Sequence, residues 1–503
     1  MLAAAAGLPL AAILALMLGL HWSAAKAGGV GLALALLVAI GAFGFGREVL
    51  PELGAPRAVG FSFAEAAFTA ATILWIIFPA LCLYEAQERS GAFETIRSAL
   101  ARVSDDPRTL ALLVAFFFAL FMEGAAGFGT PVALAAPLLV SLGFTPLKAV
   151  ALALVGHAAG VSFGAVGTPV IAQAEITGAS AAAIAAQTAT MHAISGIVLV
   201  LFVMKLAADG PLRRVDYALA ALAAACFFVP FLALAVLVGP EVPTLGGALI
   251  GLLLFAPLAR RIAPRRDARD AGKERLDLGA LGRAALPYAV LLALILVTRL
   301  VPPLQEALRT VDVAWTLPGP FAGSFEPLYH PGTLLMLGFV VGVLAQGGRA
   351  RDLGVATAAA ARRLLPVVVA LFAMLAISRI MVHAGMIGTL AEAAAGIGPP
   401  WPLAAPSVGV LGTFVTGSAT ASNILLSEFQ AATARALALD ATPLLAAQSF
   451  GAAVGNIVCP HNIIAGGATV GLAGREGAAL RLTATACAAY ALAGGLLALA
   501  FSW

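Results

Sequence analysis

Two runs rich in glycine and small polar residues, 122–131 and 411–423, hold most of the groups able to do chemistry in an otherwise apolar chain. The first contains Glu123-Gly124-Ala125-Ala126-Gly127-Phe128-Gly129-Thr130-Pro131. The second contains Gly412-Thr413-Phe414-Val415-Thr416-Gly417-Ser418-Ala419-Thr420-Ala421-Ser422-Asn423. Glycine frees the backbone from helical geometry, and proline removes a helix hydrogen bond. Each run therefore predicts a break that leaves bare N–H and C=O groups. Gly127, Gly129, Thr130, Thr416, Gly417, Ser418, Thr420, Ser422 and Asn423 are the candidates to line such a break and bind a hydrophilic solute. A half-helix N-terminus there would attract an anion. The competing reading is that the glycines only permit close helix packing; two runs in matching places weigh against it.

Four charged or titratable residues join the candidates. Glu123 ends an apolar stretch just before the first break, where an ionised carboxyl is costly and reversible protonation is favoured. Its bland alternative is a cap on freed backbone amides. Arg379 lies inside the apolar stretch 364–388, close to His383. Its guanidinium could clamp a carboxylate at two points, or simply snorkel to an interface. His157 and His461 fall in equivalent segments and titrate in the range a proton relay needs. A hydrogen-bonded core histidine is the commoner outcome for such residues. His192 reads as packing and Glu65 as interfacial.

The elements that must carry these groups are membrane helices. Of the 503 residues, 61% are hydrophobic and 11% charged, with a mean hydropathy of +1.01. Ordinary soluble domains carry about 25% charged residues. The apolar blocks 2–20, 28–46, 59–83, 217–238, 284–298 and 482–503 approach the roughly 20 residues that cross about 30 Å of hydrocarbon. The first block lacks a basic leader and reads as a spanning helix. Cys82, Cys226, Cys459 and Cys487 lie in apolar blocks without paired spacing, so they predict neither disulfides nor a metal site. Lysine and arginine collect in 84–108, 205–214, 260–283, 349–363 and 475–481, whereas 239–243 and 302–330 are acidic or nearly neutral. By the positive-inside rule these alternate correctly if both termini are extracytoplasmic, with about 12 spans and two further hairpin-like segments. The stretch 84–108 reads as an amphipathic surface helix, and 302–330 as irregular.

An internal duplication organises the chain. Thr145-Pro146-Leu147 opens an apolar segment ending in Gly164-Ala165-Val166-Gly167-Thr168-Pro169. Thr442-Pro443-Leu444 opens another, ending in Gly455-Asn456-Ile457-Val458-Cys459-Pro460. One glycine-rich run precedes each. The loop charges bring the two copies into the membrane from opposite faces, the inverted-repeat plan of secondary transporters. The predicted architecture is an all-α integral membrane protein with two re-entrant or broken segments. It is a single polytopic domain over 1–503: N-terminal helices 1–83, a first repeat 84–205, intervening helices 206–363 with a charged linker 260–283, and a second repeat 364–503.

On these motifs the chain resembles the L-lactate permease family of proton-coupled lactate and glycolate transporters. The resemblance rests on Tyr84, Ser90-Gly91-Ala92-Phe93, Ile96-Arg97-Ser98, Glu123 through Gly129, Phe163-Gly164-Ala165, Gly167, Thr416-Gly417-Ser418, Thr420, Ser422-Asn423 and Val470-Gly471-Leu472-Ala473-Gly474-Arg475-Glu476. It covers most of the chain from about residue 60 onward. The departures fall in the same segments. Ala419 stands where the family usually has aspartate, and Asn456 where it has lysine. His157, Gly160, Cys459 and His461 replace asparagine, proline, serine and glutamine. Losing an acid and a base together is charge-neutral, so the two are a candidate pair.

The resemblance implies import of a small monocarboxylate such as lactate or glycolate with protons, by alternating access in a cell inner membrane. No cofactor, metal or nucleic acid is expected, and a homo-oligomer is compatible with the plan. The alternatives are a different organic anion or coupling ion, a passive channel, or an intramembrane enzyme. The last lacks a candidate nucleophile or metal cluster at depth. The glycines at 124, 127 and 129 follow no strand, and there is no Walker lysine, so nucleotide binding is not expected.

Overall fold

A computed structural model describes residues 2–20, 22–101, 103–104, 106–127, 129–208, 210–262, 277–472 and 475–503. The charged linker at 263–276, with Arg265, Arg266, Arg269, Lys273 and Arg275, lies outside the described residues. So do Arg102 and the motif residues Phe128, Ala473 and Gly474.

The chain is a multi-pass helical membrane protein. Among the described residues nine helices are long and apolar enough to cross a bilayer, and the bent pair Ala181–Ser195 with Ile197–Ala207 makes ten. The sequence reading expects about 12 spans and two further hairpin-like segments. Beside the long helices lie shorter apolar helices such as Thr130–Ser141, Pro331–Ala345 and Trp401–Thr416. The 59–83 block is the centre of one long helix, Gly54–Arg89. The amphipathic helix expected across 84–108 is confined to Ala92–Ala101, which buries Phe93, Ile96 and Leu100. The stretch 302–330 is more regular than its composition suggests. It holds the helix Pro302–Arg309 and a two-stranded antiparallel hairpin, Val313–Thr316 paired with Ala322–Phe325. The chain is therefore all-α in the membrane but not throughout.

The interrupted helices form the centre of the molecule. Pro107–Ala125, Pro146–Thr177 and Ala441–Thr469 bury 94 to 100% of their most apolar stretch, against 28% for the peripheral Leu278–Leu300. This placement is required, because backbone groups freed at a break have no hydrogen-bond partner in lipid. Two matched sets of elements build the centre. In one, Pro107–Ala125 and Thr130–Ser141 are followed by Pro146–His157 and Gly164–Thr177. In the other, Trp401–Thr416 and Ala419–Ala436 are followed by Ala441–Gly455 and Pro460–Thr469. The close approaches match too. A Cβ on Gly156 would strike the carbonyl of Ala115, and one on Gly451 the carbonyl of Pro406. Small residues let these helix backbones touch.

The basic stretches gather at one end of the bundle. Arg108 meets Asp216 at 2.5 Å, Arg363 meets Glu85 at 2.9 Å, and Arg260 donates to the Val103 carbonyl at 3.2 Å. The weakly charged loops gather at the other, where Arg299 pairs with Glu241 at 2.7 Å and stacks on Tyr329.

Candidate functional site

Four breaks converge on one small cavity. The first contributes Glu123, Gly127 and Gly129, and the second Val161, Gly164, Ala165 and Pro169. The third contributes Gly417, Ser418, Ala419 and Thr420, and the fourth Asn456 and Asn462. Local sequence explains each turn. Gly129 and Gly417 both adopt left-handed φ, +82° and +79°, which glycine reaches without steric cost and which redirect the chain into the next half-helix. Pro131 and Pro460 do not interrupt helices, as the sequence suggested. They sit in the first turns of Thr130–Ser141 and Pro460–Thr469, where a missing N–H costs nothing. Pro169 likewise follows the left-handed run Ala165, Val166 and Gly167. Left-handed φ at Val166, a β-branched residue, stores strain of the kind that collects at functional sites.

The consequence is electrostatic. The N-terminal ends of four half-helices, beginning near Thr130, Thr168, Ala419 and Pro460, lie at or next to residues that line the cavity, and a helix N-terminus is the positive end of its dipole. Among the described residues no lysine or arginine lines it, so the positive polarisation the helix ends supply there comes from backbone dipoles. Its free volume is about 30 Å³, room for about one water.

Glu123 is buried, and no hydrogen bond to its carboxyl is made among the described residues, which leaves the capping role without a partner. The carboxyl occupies the space a side chain at position 164 would fill: a Cβ there would meet Glu123 Oε1 directly. His157 Nδ1 donates to the Ala153 carbonyl at 2.5 Å, so its Nε2 faces Glu123 Oε2 at 3.8 Å. Two of the three residues singled out for proton handling are therefore neighbours. Gly164→Ala is expected to fold, because the atom displaced is the end of a flexible side chain, but to turn the carboxyl away from His157. Proton-driven uptake measured against expression level should fall toward that of a Glu123 variant; unchanged uptake would show that the carboxyl's position is not critical.

The other candidates divide. Ser418 and Thr420 line the cavity, and the Thr420 hydroxyl makes no hydrogen bond among the described residues. Thr130 and Thr416 instead donate to the carbonyls of Gly127 and Gly412, at 2.7 and 2.8 Å. Ser422 donates to Gly409 O at 3.0 Å, and the Asn423 amide to Pro169 O at 3.1 Å. These four hold the breaks in shape without lining the cavity. His461 is exposed, its Cβ beside Gly417, and does not join His157. His192 is a core histidine held by Ser162 and Tyr490 at 2.9 and 2.7 Å. Arg379 neither clamps the cavity nor snorkels. It is buried against Glu65, Glu428 and the Ile176 carbonyl, which use up its reach. Glu65 is correspondingly buried. Sequence reasoning missed Asn462, whose amide donates to Asn456 Oδ1 and fixes that side chain across the cavity. An isolated amide in a short apolar helix was the only signal for it.

A family model for L-lactate permease matches residues 2–502. The glycolate permease GlcA of Escherichia coli is 29% identical over 500 residues, covering 91% of this chain and 88% of its own. The L-lactate permease of Bacillus subtilis is 29% identical over 458 residues, covering 81% of each. Among solved structures, the YdaH transporter of Alcanivorax borkumensis aligns with a TM-score of 0.49 at 19% identity over 86% of each chain, too distant to carry an argument.

Proposed function

The chain belongs to the L-lactate permease family, and from that premise we propose that it imports a small monocarboxylate, most simply lactate or glycolate, together with a proton. The observation that carries this reading is the convergence of four half-helix N-termini on a cavity that also holds Glu123. Backbone dipoles suit a single negative charge, which they hold without a fixed cation and so release readily. Asn456 Nδ2, the Thr420 hydroxyl and the freed amides near Gly129 and Ser418 are the donors for a carboxylate. Glu123, with His157 beside it, carries the proton.

The cavity's small volume fits a closed arrangement of an alternating-access cycle, in which the two matched sets of broken helices form an inverted repeat around the substrate. In this reading the end carrying the basic stretches faces the cytoplasm, and both termini are extracytoplasmic. Ala419 and Asn456 favour one second reading, a carrier of the same type for another organic anion or with another coupling ion.

Counterflow in proteoliposomes tests both. Labelled lactate or glycolate should exchange against its unlabelled form and be displaced by close analogues in a panel of carboxylates, dicarboxylates and sulfonates. If neither exchanges nor competes while another anion does, the second reading replaces the first.

A further inference from the structure

Arg379 and its neighbours form a cluster outside the cavity that the transport reading does not use. It lies at the end of the bundle opposite the basic stretches, near the C-terminus of Ala350–His383. His383 Nε2 is 2.6 Å from Glu65 Oε2, Arg379 Nε is 3.4 Å from Glu65 Oε1, and Arg379 Nη1 is 3.8 Å from Glu428 Oε1. Arg379 and Glu65 are each only 7% exposed. Phe321, from the loop of the hairpin, covers the His383 ring at a centroid distance of 4.5 Å.

The cluster joins two kinds of element. Glu65, Arg379 and His383 belong to the long helices Gly54–Arg89 and Ala350–His383, which pack together at the side of the broken helices. Glu428 belongs to Ala419–Ala436, whose N-cap Ser418 lines the cavity. Arg379 Nη1 also donates at 3.2 Å to the Ile176 carbonyl, in the last turn of Gly164–Thr177, whose other end lines the cavity. A guanidinium at a half-helix C-terminus satisfies an orphan carbonyl and the negative dipole end. One side chain therefore ties two half-helices to the flanking pair. Its Nε makes no hydrogen bond, so the tie is held mainly by charge.

The charge balance sets the condition for that tie. One guanidinium faces two carboxylates, so the buried cluster is neutral only when it holds one proton more. Arg435 and Glu175 are the further charged groups in electrostatic range, one of each sign. We infer that His383, Glu65, Arg379 and Glu428 form a second proton-binding site, separate from Glu123 and His157, that locks this end of the bundle when protonated and releases it when not. The proton is shared between His383 Nε2 and Glu65. Without it an uncompensated buried carboxylate remains, and admitting water relieves it. The locked state binds one more proton than the released state, so it is favoured at low pH and lost as pH rises. In a proton-coupled carrier, a proton arriving from this side would close the entrance behind the substrate.

Hydrogen–deuterium exchange on the full-length protein in detergent tests this without any substrate, so its failure and that of the transport reading are distinguishable. Amides of 171–177 and 313–325 should lose protection on the order of tenfold, equivalent to about 1.4 kcal/mol, between about pH 5.5 and pH 8.5, a range spanning histidine titration, after correction for intrinsic rates. His383→Asn keeps the cluster charged and should leave these segments unprotected at every pH. Glu65→Gln makes it neutral without the proton and should protect them at every pH. Glu123→Gln should retain the wild-type profile. General damage to packing would loosen both cluster variants alike. A flat wild-type profile, both cluster variants moving the same way, or loss of the profile in Glu123→Gln overturns the inference.

Discussion

Glu123→Gln is expected to abolish uphill uptake while leaving exchange of substrate across the membrane intact. Gln mimics the protonated carboxyl in shape and charge, so the cavity still closes and still presents its amides to an anion. What is lost is the ability to release and rebind a proton once per cycle. A carrier moving one proton with one monoanion is electroneutral, so an inward gradient of about one pH unit supports about tenfold accumulation, the equivalent of about 1.4 kcal/mol. In proteoliposomes the variant's accumulation ratio should fall to about one, while counterflow at equal pH on both sides continues. A protonophore should reduce the wild type to the same ratio. Accumulation that survives in Glu123→Gln would remove Glu123 from the proton path and leave its burial without hydrogen bonds unexplained.

The contrast between Ser418 and Ser422 shows what a sequence can and cannot fix about such a site. Both hydroxyls sit in one run, and the backbone break beside them is legible because Gly417 must take a left-handed φ. Which hydroxyl meets the substrate depends on the rotation of the half-helix that follows. Ser418 caps it and lines the cavity, whereas Ser422, one turn later, turns back to the Gly409 carbonyl. The approach of Glu123 to His157 comes from the packing of two separate helices, whereas the breaks and their order along the chain follow from local chemistry and spacing. The partners of Arg379 do not, because Glu65 and Glu428 are distant in sequence and only the packing of four helices brings them to it. The same limit bears on any count of spans: hydropathy registers apolar length, but two half-helices meeting at a cavity and one continuous span read alike. The hairpin at 313–325 escapes for the opposite reason, since strands of four residues give too short an alternation to register.

Ala419 and Asn456 sharpen the question of substrate, because the positions where the resemblance implies an aspartate and a lysine line one cavity. Restoring the acid alone, Ala419→Asp, would place a carboxylate at the first position of Ala419–Ala436, against the N-terminal dipoles proposed to hold the substrate. Two like charges about 4 Å apart at an effective dielectric of about 20 repel by about 4 kcal/mol, on the order of a thousandfold in affinity. Anion binding should therefore nearly vanish. Asn456→Lys alone would put a fixed cation beside Glu123 and remove the amide held by Asn462. It should hold the anion more tightly and slow its release, lowering the maximal counterflow rate. The double variant returns the cavity to its present net charge and should recover most of the affinity lost in Ala419→Asp. Half-saturation constants and maximal rates from counterflow give the complete double-mutant cycle. A coupling energy well above the few tenths of a kcal/mol expected of independent sites would establish that acid and base act as a pair in this cavity. Simple additivity would mean that the two positions act independently, and the charge-neutral exchange that the resemblance implies would lose its role in setting the substrate.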